Sequence, residues 1–134
     1  PKENEDILTL ANAREVIISI GFGRVSVMTP ERHDKLIAFT SQLAHIVSNA
    51  YIKSPSSSQR KGISAGSYKD LTRVAYLNEN MWTELFLENK DNLIFELDYL
   101  IEELKKYSTA MKNDDAKTLK QLLKDGREAK ERAD

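Results

Sequence analysis

The sequence predicts a mainly all-α protein, a helical bundle preceded by one further helix and one short strand. Three observations carry that expectation. Leu93, Leu97, Leu100, Leu104, Tyr107 and Met111 follow one another by four, three, four, three and four, a heptad seam that Ile94 and Ile101 widen into a bundle face. From Leu36 through Ile52 apolar residues recur at helical spacing while no charged residue appears on any side. Only Arg24 to Met28 alternates as a strand does, with Val25 and Val27 on one side and Ser26 on the other.

Taken in order, Ile7, Leu10, Ala13, Val16, Ile17 and Ile20 set one amphipathic helix from Asn4 to Ile20, and Gly21 supplies its stop. After the strand, Thr29 and Pro30 read as an N-cap followed by proline at the first helical position. A lone strand cannot satisfy its own backbone groups, and no other segment reads as its partner. Residues 1 to 30 therefore read as the closing helix and strand of an α/β domain, or as a strand pairing with a second copy. Gly21 and Gly23 imitate the start of a dinucleotide-binding fingerprint, but Ser26 stands in place of its third glycine and Met28-Thr29-Pro30 follows instead of a helix.

Glu31 to Lys53 forms the second predicted helix, with a stripe of Leu36, Phe39, Leu43, Ile46, Val47, Ala50 and Tyr51. Ala38, Ser41, His45 and Ser48 cluster across from that stripe, where a surface helix would carry Lys and Glu. The helix is expected to be covered all round, the stripe by core and the small polar side by a partner helix or a cleft. Ser41 and His45, one turn apart, are then a satisfied buried pair or ligand contacts. His33 lies about 18 Å back along the axis and is rotated by about 120°, so this helix alone gives the two histidines no shared metal ion.

The serine-rich stretch from Ser54 to Ile63 reads as a loop. Beyond it, Ser64 to Ala75 combines a glycine turn at Ala65-Gly66 with a capping-box spacing between Ser67 and Asp70, predicting a short helix from Tyr68 to Leu77. Lys69 and Arg73 sit four apart on it and repel unless an anion lies between them, so this is a solvated basic face or an anion corner. Asn78 is placed to cap the next helix, whose edge is Met81, Trp82, Leu85 and Phe86. Asp91 to Lys112 is the longest helix. Asp114 or Asp115 caps the final one, where Ala116, Leu119, Leu122 and Leu123 face the long helix in an antiparallel hairpin.

At 134 residues the chain suits one domain with its own core. A net charge of −1 without a basic run points away from nucleic acid and membrane surfaces. Absence of cysteine excludes disulfides and thiolate chemistry and fits the cytoplasm. A chain that opens on Pro1 reads as processed or as a piece of something longer.

From Met28 onward the sequence resembles the C-terminal helical half of the prephenate dehydrogenase family. Met28 to Asp34 (MTPERHD), Ser41 to His45 (SQLAH), Ala65 to Ala75 (AGSYKDLTRVA) and Met81 to Asn89 (MWTELFLEN) carry the resemblance, in that order and at the family's spacing. It implies a fold in which residues 1–30 close a nucleotide-binding domain and residues 31–134 form a helical dimerisation and substrate-side domain. It implies oxidation of prephenate by hydride transfer to NAD or NADP, with loss of the ring carboxylate, giving 4-hydroxyphenylpyruvate. The family's main catalytic histidine and glycine fingerprint have no counterpart here, so the resemblance implies no catalytic residue, no cofactor and no activity for this chain alone. By position Arg73 matches an arginine that binds a prephenate carboxylate. Asp70 orients that region, Gly66 lets the backbone approach, and Ser41, His45, His33, Met81 and Trp82 line the site. Gln42 stands where many members carry a histidine, and Ala44 replaces a frequent proline, implying a straighter helix. The implied partners are a second copy in a homodimer, prephenate and the nucleotide-binding domain. Two alternatives stand beside this: a non-catalytic helical homodimerisation module, and an all-helical chorismate mutase, which the uncharged run argues against.

Overall fold

The computed structural model describes residues 7–59, 62–63 and 66–134, and its architecture is a succession of helices. They are α1 (Ile7–Ser19), α2 (Pro30–Ile37), a π-helical turn (Ala38–Leu43), α3 (Ala44–Tyr51), a 3-10 turn (Pro55–Gln59), α4 (Gly66–Thr72), α5 (Glu79–Glu88), α6 (Lys90–Lys112) and α7 (Ala116–Ala133). The all-α class predicted from periodicity is what the chain adopts. The strand is not: residues 24–28 pair with nothing, and no strand forms among the described residues. A strand exists only through a neighbour that takes its N–H and C=O groups, and the described residues supply none.

Helix α1 stops where glycine was expected to stop it. Gly21 takes φ 102°, its N–H reaches the Ile18 carbonyl at 3.0 Å, and Phe22 N–H reaches the Ile17 carbonyl at 3.3 Å. That pair of bonds is a Schellman closure, so Gly21 serves the helix end and no phosphate loop. The predicted start at Asn4 lies outside the described residues. None of α1 is buried; Ile7, Leu8, Val16 and Ile20 face outward.

Thr29 caps α2 by accepting from Arg32 N–H at 3.3 Å, with Pro30 at the first helical position. Helix then continues without a break to Tyr51, but through the π turn, which accommodates one residue more than an α-helical turn does. That extra residue shifts the register of everything counted across it, so the predicted stripe divides. Leu43 is buried and Ile46 and Val47 pack beside it, whereas Leu36, Phe39, Ala50 and Tyr51 stay exposed and Ala38 and Gln42 turn inward. The expectation of a helix whose whole stripe is covered by the core of this chain is corrected by this turn.

Ala38, Leu43 and Leu93 form the core, with Ile46, Val47, Phe86, Leu97 and Leu100 against it. The first half of α6 thus packs on the π turn. Its second half pairs with α7, where Tyr107 Oη donates to the Leu122 carbonyl at 3.3 Å and Ala110 is buried. Leu104 and Met111 of the predicted seam remain exposed. The hairpin turn needs one left-handed residue, Asp114 at φ 52°, and Asp115 then caps α7 by accepting from Thr118 N–H at 2.9 Å. Asn78 caps α5 as its type predicts, accepting from Met81 N–H at 3.0 Å.

Candidate functional site

One helix, α5, and the corner formed by α4 flank α3. On one side, His45 lies over Trp82 of α5 with ring centroids 4.1 Å apart and planes inclined by 30°, and Trp82 in turn meets Phe86 at 5.2 Å. Aromatic pairs of this kind contribute about 0.5–1.5 kcal/mol beyond the area they bury. His45 Nδ1 sits 2.8 Å from the Ser41 carbonyl. A carbonyl only accepts, so Nδ1 carries the proton, and Nε2 is left as the polar atom that another group can meet. The predicted pairing of Ser41 with His45 therefore exists, through the Ser41 backbone and not its hydroxyl. Both residues are half-buried, as is Trp82, while Met81 beside it is exposed.

On the other side, α4 carries Gly66, Asp70 and Arg73 at its end. Helix α4 is shorter than expected: it begins at Gly66 and ends at Thr72, so Ser67 lies inside it and the predicted capping box with Asp70 does not form. Ser64 and Ala65, the start of that motif, lie outside the described residues. The corner is joined to α3 by Asn49 Nδ2, which donates to the Ala75 carbonyl at 3.0 Å, and by the Tyr51–Tyr68 ring contact at 6.1 Å. Gly66, Lys69, Asp70 and Arg73 are exposed, and no ion pair involves Lys69, Asp70 or Arg73 among the described residues.

His33 stands apart from both groups. Its ring is exposed and, among the described residues, reaches only the neighbouring Asp34 carboxylate, at 3.0 Å. Among the described residues no three His, Asp or Glu side chains gather as a metal site.

Two contributors escaped sequence reasoning. Gln42, to which the resemblance gave no role, is buried with both ends of its amide engaged: Nε2 donates to the Leu85 carbonyl at 3.0 Å and Oε1 accepts from Asn89 Nδ2 at 2.8 Å. Asn89 also donates to the Asp34 carbonyl at 2.8 Å, and its Oδ1 accepts from Asn92 at 2.7 Å. Leaving a buried partner of such a network unsatisfied costs about 1–3 kcal/mol. The available signal was the residue type: an amide inside an uncharged, buried run must be paired with something. Hydrogen bonds from Thr118 hold the Asp115 carboxyl below its usual value, and Glu103 raises Lys106.

Comparison with known proteins places this geometry in a lineage. The family described as "Prephenate dehydrogenase, dimerization domain" matches residues 29–125. The cyclohexadienyl dehydrogenase of Zymomonas mobilis is 35% identical over 114 residues, covering 81% of this chain and 39% of the relative. The prephenate dehydrogenase of Bacillus subtilis is 31% identical over 102 residues, covering 72% of this chain and 28% of the relative. Among solved structures, a prephenate dehydrogenase from A. aeolicus in complex with hydroxyphenyl propionate and NAD+ superposes with a TM-score of 0.75 at 26% identity, over 100% of this chain and 48% of that one. An arogenate dehydrogenase from Synechocystis shares the fold, with a TM-score of 0.77 at 24% identity, over 100% of this chain and 50% of that one. The chain spans half or less of the length of each of these proteins. With the dimerization-domain match running from the cap of α2 into α7, the chain belongs to the prephenate dehydrogenase family.

Proposed function

We propose that this chain is the dimerisation and substrate-side part of a cytoplasmic NAD- or NADP-dependent enzyme that converts prephenate to 4-hydroxyphenylpyruvate and carbon dioxide. The match to the dimerization domain supports the reading most directly, joined by the A. aeolicus relative whose structure holds hydroxyphenyl propionate and NAD+. In this reading residues 31–134 form the helical domain and residues 1–30 close a nucleotide-binding domain of the relatives' kind. The outward apolar residues of α1 would pack on the body of that domain.

The residues of this chain bind and orient; the nicotinamide, when bound by the complete enzyme, supplies the hydride acceptor. Arg73 offers a planar, permanently charged fork to a prephenate carboxylate, and no carboxylate of the described residues competes for it. Asp70, one turn earlier on α4, orients that corner, and Gly66 leaves room for a close backbone approach, since a Cβ there would meet nothing within 4 Å. His45 Nε2, with Ser41 setting the ring's tautomer, faces the substrate side together with Trp82 and Met81, while His33, which stands apart from them, is given its place at the site by the family resemblance alone. The partner copy in the homodimer covers the apolar residues this chain leaves open.

Two preparations test the reading: the chain alone, and the chain joined to a nucleotide-binding half. Given NAD and prephenate, the chain alone should form no NADH and the joined protein should form it with release of carbon dioxide. Turnover by the chain alone, or a joined protein that binds NAD yet leaves prephenate untouched, would refute it.

A further inference from the structure

We infer that two carboxamides with no assigned role, Gln42 and Asn49, are positioning residues that set the distance from His45 to Trp82 and from α3 to Arg73. The inference rests on the proposed reading for its kinetic consequence, and on geometry alone for its structural one.

The two amides lie on either side of His45 along one continuous helix, three residues before it and four after. Each crosses to a different neighbour. Gln42 Nε2 donates to the Leu85 carbonyl at 3.0 Å, and the His45–Trp82 stack at 4.1 Å is the adjacent rung between the same two helical segments, since both 42 to 45 and 85 to 82 are steps of three. Such steps bring the second pair about one turn along, close to the first. The Leu85 carbonyl belongs to the last turn of α5, where carbonyls lack helical partners, so Gln42 also fixes where α5 ends. The Gln42 carbonyl oxygen is held by Asn89, which simultaneously holds the Asp34 carbonyl of α2. The amide therefore has one orientation that satisfies every neighbour, and the π turn that presents Gln42 also presents the Ser41 carbonyl to His45. Asn49 acts one turn beyond His45. Its Nδ2 donates to the Ala75 carbonyl at 3.0 Å, two residues past Arg73, and this is a direct side-chain tie between α3 and the exit of α4.

A positioning role differs from a merely stabilising one in what it moves. Trp82 is the sole tryptophan of the chain, so its emission, excited beyond the tyrosine absorption, and the long-wavelength indole band of the near-ultraviolet circular dichroism report the stack. Gln42→Met keeps the volume and removes both hydrogen bonds. It should shift the Trp82 signals in protein whose far-ultraviolet spectrum is unchanged, and the same substitution made on His45→Ala should shift them no further. Gln42→Glu, read at a pH that keeps its carboxyl ionised, keeps an acceptor for Asn89 but has no donor for Leu85, and should shift them as Gln42→Met does. In the complete enzyme, Asn49→Ala should raise the prephenate KM about tenfold with kcat and the nicotinamide KM held within about twofold, and should add nothing to Arg73→Ala. Unmoved Trp82 signals in folded Gln42→Met overturn the role of Gln42, and Asn49→Ala and Arg73→Ala effects that simply add overturn that of Asn49. Should Gln42→Met not fold, unmoved Trp82 signals in Gln42→Glu overturn the role of Gln42 in its place. A complete enzyme that ignores prephenate would refute the proposed function while leaving the Trp82 result to stand for or against the Gln42 rung.

Discussion

Around the π turn Ala38, Gln42 and Leu43 are buried, and each end of the Gln42 amide is bonded to a different element. At the α4 corner Gly66, Ser67, Lys69, Asp70, Leu71 and Arg73 are exposed, and the ties to α3 include an amide hydrogen bond and a ring contact. Both regions flank the same helix, yet among the described residues side-chain hydrogen bonds gather at the first, and Lys69, Asp70 and Arg73 of the second form no ion pair. That division suits two tasks. A guanidinium already paired within the protein is poorly available to a ligand carboxylate, whereas a helix that must hold an aromatic stack in place needs its neighbours satisfied.

Substitutions on the two sides should therefore behave in opposite ways. Leu93→Ala, in the core beneath the π turn, should cost about 3 kcal/mol of unfolding free energy, read from denaturant midpoints at constant slope. A loss below about 1 kcal/mol would mean that region is not the locked one. Arg73→Ala should do the reverse, leaving the unfolding midpoint where it was while kcat/KM for prephenate in the complete enzyme falls about 100-fold, equivalent to about 2.7 kcal/mol. A destabilised Arg73→Ala would place the arginine among the structural residues.

Smaller effects lie farther out. Asn78→Ala removes the cap of α5 and should cost about 1 kcal/mol without altering the Trp82 near-ultraviolet band. At the α7 cap, hydrogen bonds from Thr118 depress the Asp115 carboxyl below its ordinary 3.8. The stability it contributes is therefore complete above that ordinary value and lost as pH falls through the lowered one. Asp115→Asn should flatten the acid-unfolding profile in that window and leave stability at neutral pH little changed; a profile that stays as steep would show the charge of this exposed cap to be idle.

Much of the fold was legible because it depends on local rules. Gly21, Thr29 with Pro30, Asn78 and Asp115 mark helix ends through their own backbone or side-chain chemistry, and each does so in the structure. The capping box at Ser67 failed although its spacing was right, since helix α4 already includes Gly66 and Ser67 and ends at Thr72. The strand at 24–28 failed for want of a partner, a condition that no alternation pattern contains. For the site, the resemblance assigned the polar and charged residues, and the structure brings Ser41, His45 and Trp82 together while leaving His33 apart. Gln42 was passed over because its partners, Leu85 and Asn89, lie far along the chain.

Local sequence alone dictates that this chain is helical, where most helices begin and end, and that the segment from Leu36 to Ile52 is not an ordinary surface helix. Which side of that segment faces the core is a matter of tertiary packing. A π turn adds a residue to one turn of helix, and whether it forms depends on what α6 and the Asn89 elbow offer to pack and bond against, which no periodicity within the segment encodes.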